Sequence, residues 1–187
     1  MSHTYSRVFV LALLLALLAA APIFAGGQIE LLEATELDDG FRQVEPGDGY
    51  RFAWQVDGDA VNVRISAPTT GWVAVGFEPS RAMQDADMRF GFVADGAVEM
   101  EDHFGTSAIS HEADTALGGS NDLSAVSGSE TEGRTTLSFT MPLETGDEYD
   151  TALSPETEVI LIYAYGGDGQ DNYTRKHVAR GGFRIQL

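Results

Sequence analysis

The stretch Phe52–Phe77, which reads FAWQVDGDAVNVRISAPTTGWVAVGF, decides the fold predicted for this 187-residue chain. Two of its segments place an apolar residue at every second position: Phe52, Trp54 and Val56, then Val61, Val63 and Ile65. The residues between them, Asp57–Asp59, have the composition of a hairpin turn. The nearly continuous apolar run Gly71–Phe77 is typical of a strand that is buried on both faces. The pattern therefore predicts antiparallel strands.

Short apolar runs of the same kind continue to the end of the chain. They are Met88–Ala94, Ala97–His103, Leu123–Ser127, Thr135–Met141, Val159–Tyr165 and Gly182–Leu187. With an edge strand expected at Gln28–Ala34, they make about nine strands, and no amphipathic helix stands out. This spacing predicts an all-β fold, a single-domain antiparallel β-sandwich. The stretch Gly105–Asn121 is rich in Ser, Gly, Ala and Asp and is predicted to be a long loop.

The composition excludes several classes of function. Acidic residues outnumber basic ones by 29 to 11, so the formal net charge is −18 and the surface should repel nucleic acid. The hydrophobic fraction of 43% is too high for a disordered acidic chain. Because the chain has no cysteine, it can form neither disulfides nor thiolate metal sites. Histidine, methionine, tyrosine and the carboxylates remain for chemistry.

The first 25 residues have the layout of a secretory signal peptide. Arg7 precedes the apolar run Val8–Ala21, and Ala25 is a suitable cleavage position. A membrane anchor is the alternative, but this run is shorter than the roughly 20 residues that span a bilayer. We therefore predict a periplasmic or extracellular protein that keeps no membrane anchor after cleavage. Its segments would be a leader at 1–25, an acidic N-terminal segment at 26–44 and the sandwich at 45–187.

Three consecutive motifs give the chain a family resemblance. They are Gly71–Phe77 (GWVAVGF), Ala82–Val93 (AMQDADMRFGFV) and Asp95–Phe104 (DGAVEMEDHF). Together they resemble the DOMON family, whose members are secreted or extracytoplasmic β-sandwich domains, and the resemblance covers about residues 45–187. One branch of that family binds heme b between a Met and a His, as in the cytochrome domain of cellobiose dehydrogenase. Other branches serve as binding or interaction modules.

The resemblance implies which residues would hold heme b. Met83 lies in the loop after the Gly-Trp strand, and His177 lies just before the last strand, where the heme-binding branch has its two axial ligands. An electron-transfer heme needs two strong axial ligands, and without cysteine the candidates are imidazole nitrogen and thioether sulfur. Met88, the competing thioether, begins an apolar run and is expected in the core. We expect the sandwich topology to bring the Met83 and His177 loops to one end.

Three further residues are predicted to contact the cofactor. Trp72 is one of several aromatic residues that could line the apolar macrocycle. Arg175 and Arg180 flank His177 and could pair with heme propionates or receive an acidic partner protein. Simple charge balance beside Asp168 is the alternative explanation for this basic cluster. The leading prediction is a small b-type cytochrome that transfers single electrons to an unidentified redox partner, and not an enzyme.

A non-redox module that binds a sugar or a divalent cation is the competing prediction. Asp102–His103, His111–Glu112 and Asp114 form a group of histidine and carboxylate side chains around the predicted long loop. Oxygen ligands alone would suit Ca²⁺, and participation of both histidines would suit Zn²⁺. The spacing matches no standard metal motif, and a solvated acidic loop is the preferred explanation. No arrangement typical of a hydrolase is recognisable.

Overall fold

The computed structural model describes residues 29–187, which form twelve strands and one short helix. In chain order they are β1 (Thr35–Glu36), β2 (Arg42–Gly47), β3 (Tyr50–Asp57), β4 (Ala60–Ala67), β5 (Val73–Phe77), β6 (Asp87–Ala94), β7 (Ala97–Ser107), β8 (Ser110–Ala113), α1 (Asp114–Leu117), β9 (Ser124–Thr131), β10 (Arg134–Pro142), β11 (Glu158–Tyr165) and β12 (Ala179–Gln186). The predicted leader at 1–25 lies outside the described residues. The first sheet already begins upstream of residue 45, with β1 and β2.

The strands form two six-stranded antiparallel sheets. The first sheet has the order β1-β2-β3-β4-β10-β9, and the second has the order β12-β11-β5-β6-β7-β8. The predicted antiparallel β-sandwich is therefore confirmed. Among residues 29–187, no helix has the length and apolar character needed to cross a bilayer.

Turn residues and alternation explain most of the strand pairing. The hairpin predicted at Asp57–Asp59 joins β3 to β4, where Asp57 pairs with Ala60. Asp95 and Gly96 join β6 to β7 with φ angles of 51° and 78°, as a two-residue turn with two positive φ values requires. The run Gly71–Phe77 contains β5, which is buried along its whole length.

The loop predicted at Gly105–Asn121 is wrong over most of its length, and only the turn at 108–109 and residues 118–121 remain outside strands and helix. β7 extends to Ser107 and returns as β8, and α1 follows at once. The edge strand β8 is held by main-chain pairing and buries little apolar surface, so its sequence, SHEA, shows no apolar alternation from which a strand could be predicted. The edge strand expected at Gln28–Ala34 is reduced to an isolated bridge from Leu31 to Arg184, and Gln28 itself lies outside the described residues.

The inner faces of the two sheets enclose the main core. Alternate residues of β4, β10 and β11 point into it, and its largest side chains include Phe52, Trp54, Phe77, Phe139 and Phe183. Full burial of each such side chain contributes roughly 1.5–3 kcal/mol, which makes this core the main source of stability. Phe77, Tyr163 and Tyr165 belong here, so they do not line the opposite face of the second sheet.

Candidate functional site

A second apolar cluster lies on the outer face of the second sheet, away from the main core. We call it the outer-face cluster; it consists of Trp72, Ala74, Ala86, Met88, Phe90 and Phe92. It exists because β5 is apolar at consecutive positions and β6 carries Met88, Phe90 and Phe92 at alternate positions, so both strands bury side chains on this face as well. Met88 is buried, as predicted, but it lies in this cluster and not in the main core. A buried face on the outside of a sandwich needs a cover, and two loops provide it.

Met83 belongs to the first covering loop, which joins β5 to β6. Its side chain is half-buried and packs against the outer-face cluster. The loop is held to β7 by two main-chain hydrogen bonds: Asp85 N donates to Gly105 O at 2.8 Å, and Gly105 N donates to Ala86 O at 2.9 Å. The structure therefore places Met83 over the apolar face by fastening its loop to the neighbouring strand.

His177 belongs to the second covering loop, which joins β11 to β12. β11 pairs antiparallel with β5, and Tyr165 opposite Val73 ends the pairing where β5 begins. The expectation that the Met83 and His177 loops share one end is wrong, because antiparallel neighbours send these loops from opposite ends of the sheet. Both loops nevertheless reach the same face, since Tyr173 of the second loop packs against the outer-face cluster. His177 is half-buried and, among the described residues, stacks on no aromatic ring of that cluster.

The surroundings of His177 are cationic. Arg175, Lys176 and Arg180 are exposed, and within residues 29–187 none of the three forms an ion pair. Partial burial, together with the charge of Arg180, lowers the pKa of His177 below its usual value. The ring is therefore neutral near pH 7, the form in which an imidazole nitrogen can bind a metal ion.

Two hydrogen-bond donors on the outer face lack partners. The indole Nε1 of Trp72 and the phenol oxygen of Tyr173 are buried and make no hydrogen bond within the part of the chain that the structure describes. Trp72 is 5.6 Å from Phe90 between ring centroids, and Tyr173 is 5.3 Å from Phe92. Buried donors without acceptors are rare in proteins and often mark a missing ligand atom or water.

The outer face also carries a pair of histidines. The Nδ1 atoms of His103 and His111 lie 3.1 Å apart, and Glu101 Oε2 lies 3.0 Å from His103 Nε2. His111 stacks on Phe90 with ring centroids 4.5 Å apart and an interplanar angle of 16°. Burial lowers the pKa of His111 to about 4, and the adjacent His103 adds to the effect.

The predicted group of histidines and carboxylates is divided between the two faces of the sheet. Residues alternate along β7, so His103 points outward while Asp102 points between the sheets. β8 likewise turns His111 to the outer face, and α1 buries Asp114. Within that group, His103 and His111 lie at hydrogen-bond distance, and the charge of Asp114 contributes to the raised pKa of Asp102.

The inward carboxylates surround Arg89, a fully buried guanidinium. Arg89 contacts the carboxylates of Asp87 and Asp102, and its Nη2 lies 3.4 Å from Asp150. Asp87 also accepts a 3.1 Å hydrogen bond from the main-chain nitrogen of Thr151. Burial, offset only in part by Arg89, raises the pKa of Asp102 to about 8. The Arg89 guanidinium thus forms ion pairs with three acidic side chains between the sheets.

Three more aspartates extend this group towards the surface, so that the acidic cluster comprises Asp87, Asp102, Asp114, Asp122, Asp147 and Asp150. Carboxylate oxygens of Asp122, Asp147 and Asp150 lie within 4.8 Å of one another. Asp114 is 0% exposed, and neither of its carboxylate oxygens has a hydrogen-bond partner among the described residues. Burial raises the pKa of Asp114 to about 7, and the charges of Asp87 and Asp150 add to the shift.

Sequence comparison identifies the family. A family model described as DOMON domain matches residues 46–166. The chain belongs to the DOMON family. Its relatives include DBH-like monooxygenase protein 1 of Mus musculus (30% identity over 125 residues) and the Homo sapiens protein of the same name (30% over 116 residues). These alignments cover 67% and 62% of this DOMON chain but 20% and 18% of the relatives, so the chain spans about a fifth of their length.

Two solved structures share the fold of this DOMON domain. The cytochrome b domain of pyranose dehydrogenase from Coprinopsis cinerea superposes with a TM-score of 0.59 at 12% identity, covering 78% of this chain and 81% of that one. The cytochrome domain of Myriococcum thermophilum cellobiose dehydrogenase gives 0.56 at 12% identity, covering 83% and 88%. At such low identity the likeness establishes the fold.

Sequence reasoning missed Arg89, a fully buried cation of the DOMON domain. Its signal was present, because an arginine interrupts the apolar run Met88–Ala94 and Asp87 lies two positions earlier, on the same face of a strand. A charge in a buried strand requires an opposite charge nearby. Asp150, however, comes from a distant loop that no local pattern connects to Arg89.

Proposed function

We propose that this DOMON domain is a small exported b-type cytochrome, which binds heme b on the outer face of the second sheet and transfers single electrons. The observation that carries the proposal is that the Met83 loop and the His177 loop cover one apolar face from opposite ends. Met83 and His177 are the residues that would hold the heme iron. The cytochrome domains that share the fold support the same function.

The residues of the outer face fit such a cofactor chemically. Phe90 and Phe92 offer apolar surface to a macrocycle, and the unpartnered donors of Trp72 and Tyr173 suit an acceptor such as a propionate. Arg175 and Arg180 supply positive charge beside His177. Tyr173 packs against Phe90 and Phe92, so the β11–β12 loop must move outward when a planar group binds.

Heme b supplies the one-electron couple, and the protein supplies ligands and a dry environment. A thioether from Met83 and an imidazole from His177 would saturate the iron and leave no position for dioxygen. The outer-face cluster would exclude water from the macrocycle. The exposed basic side chains near His177 would orient an acidic redox partner, while the predicted leader accounts for export.

We expect protein expressed with its own leader to be red and to show a Soret band that shifts on reduction with dithionite. Met83→Ala should convert the spectrum from six-coordinate low-spin to high-spin, because one ligand is lost. His177→Ala should raise the dissociation constant for heme roughly tenfold or more, because the loss of one ligand bond should cost at least about 1.4 kcal/mol, the free energy to which tenfold corresponds. Visible spectra and heme titration measure both effects.

Met100→Leu is the matched control for the methionine, because Met100 packs against the inner core and has no access to the outer face. Protein that stays colourless after heme is added would refute the cytochrome proposal. Loss of the low-spin spectrum in His103→Ala or His111→Ala, with His177→Ala unchanged, would overturn the ligand assignment but leave heme binding intact.

Divalent cation binding is the second candidate function, and the acidic cluster favours it. Within residues 29–187, Asp114 presents two buried carboxylate oxygens without partners. The charges of Asp87, Asp147 and Asp150 are close enough to raise its pKa. Ca²⁺ takes six to eight oxygen ligands and would replace the protons that these carboxylates otherwise hold. This function would leave the outer face unused.

We expect Ca²⁺ to stabilise the protein against thermal unfolding, by about 2.7 kcal/mol at a free concentration one hundred times Kd. Because the pKa of Asp114 is raised in the folded state, without metal the stability should fall as pH rises from about 4 to about 7. Ca²⁺ should therefore stabilise more at pH 8 than at pH 6. Asp147→Asn should reduce the effect, while Asp57→Asn, which removes an exposed carboxylate elsewhere, should not. An unchanged melting temperature at millimolar Ca²⁺ would exclude the site.

A further inference from the structure

The histidine pair on the outer face has the geometry of a metal site that neither proposed function uses. His103 is 6% exposed, and its ring is held between Phe90 and Tyr173 with centroid separations of 5.2 and 5.4 Å. His111 is fixed by its stacking on Phe90. Both imidazoles are therefore positioned by packing before any ligand arrives, which lowers the entropic cost of binding.

The separation of the two Nδ1 atoms matches shared coordination of one ion. Metal–nitrogen bonds of about 2.0–2.1 Å and an Nδ1–Nδ1 distance of 3.1 Å give a ligand–metal–ligand angle of about 100°. This value lies between the roughly 90° of a tetragonal site and the roughly 109° of a tetrahedral one. Small shifts of the half-buried His111 would reach either geometry.

We propose that His103 and His111 bind one divalent transition-metal ion of the imidazole-preferring class, Cu²⁺ or Zn²⁺, through the Nδ1 atoms of both rings. Glu101 would accept the Nε2 proton of His103 and so keep the Nδ1 lone pair directed at the ion. In the metal-free protein, the Nδ1–H group of His111 donates a hydrogen bond to Nδ1 of His103, because Glu101 holds the proton of His103 on Nε2. Metal binding moves the His111 proton from Nδ1 to Nε2, and no charge change is required on either ring.

The remaining coordination positions would be taken by water, because no third His, Asp or Glu side chain among residues 29–187 offers an atom within reach of both. Such a site is open and exchangeable. It would also join β7 to the edge strand β8 beneath Tyr173. The inference does not rest on heme binding, since its ligands differ from Met83 and His177.

Titration of the untagged mature protein with Cu²⁺ tests the inference, because Cu²⁺ binds nitrogen ligands most tightly among these ions. We expect saturation at one equivalent and an electron paramagnetic resonance spectrum with hyperfine splitting from two nitrogens. His111→Ala should abolish the two-nitrogen signal and weaken binding at least about 100-fold. Zn²⁺ should compete for the site only at large excess, because it binds nitrogen ligands more weakly than Cu²⁺. A heme signal, if present, is spectroscopically distinct, so failure of either proposal can be recognised separately.

Glu101→Gln should weaken Cu²⁺ binding about 10–100-fold while the two-nitrogen signal remains, as expected for a positioning residue. Glu112→Gln is the matched control, because Glu112 adjoins His111 in sequence but its side chain points away from the outer face. Copper bound through oxygen alone, or two-nitrogen binding that survives in His111→Ala and His103→Gln, would overturn the inference. The folding of each variant is checked by circular dichroism.

Discussion

Arg89→Met should destabilise the domain by about 3–5 kcal/mol, although methionine is apolar and the site is buried. The guanidinium contacts the buried carboxylates of Asp87 and Asp102, and its removal leaves them without a compensating charge. Full burial makes this contact stronger than an ion pair in water. Urea unfolding monitored by tryptophan fluorescence measures the loss.

The penalty of Arg89→Met should depend on pH. Burial raises the pKa of both Asp87 and Asp102, and Arg89 opposes that rise, so its loss raises both pKa values further. The folded variant then holds protons that the unfolded chain releases, and its stability should fall more steeply than that of the wild type as pH rises from 5 to 8. Arg51→Met, which removes an exposed ion pair with Glu45, is the control and should cost about 1 kcal/mol or less. Equal losses in the two variants would contradict the buried role of Arg89.

Gly105→Ala should cost about 3–5 kcal/mol and displace the loop that carries Met83. A Cβ atom at residue 105 would overlap the carbonyl oxygen of Met83 and lie 2.7 Å from its carbonyl carbon. Backbone cannot give way as a flexible side chain does, so the loop must separate from β7 and break the hydrogen bonds made by Asp85 and Ala86. If Met83 ligates heme, the variant should also lose the low-spin spectrum.

Gly182→Ala is the matched control for Gly105→Ala. Gly182 lies in β12 of the same sheet, and an added Cβ would meet its nearest neighbour, the carbonyl oxygen of Leu161, at an ordinary 3.4 Å. We expect a change in stability within about 1 kcal/mol. If Gly105→Ala melted like Gly182→Ala and kept the wild-type spectrum, the proposed attachment of the Met83 loop would be wrong.

The candidate site could be predicted only in part, and the histidines show why. Alternation along Ala97–Ser107 separates Asp102 from His103, but the sequence alone does not say which of the two faces lies inward. Arg89 from the neighbouring strand determines the orientation of β7, because its buried guanidinium requires the carboxylate of Asp102 between the sheets. His103 is thereby turned towards His111 on the outer face. The acidic and histidine side chains that the sequence suggested as one group therefore form two groups on opposite faces of the sheet.

The strands of the inner core and the hairpin turns could be predicted from the sequence, because a period of two and turn chemistry are local properties of the chain. The family followed from the resemblance carried by three motifs. Which loops cover the outer face depends on the tertiary structure. Because Tyr165 pairs with Val73, the Met83 and His177 loops leave the sheet at opposite ends. Both loops pack against the outer face, where Met83 and Tyr173 cover its apolar side chains. Strand register and the burial of a second face depend on neighbours distant in sequence, so no local pattern could reveal them.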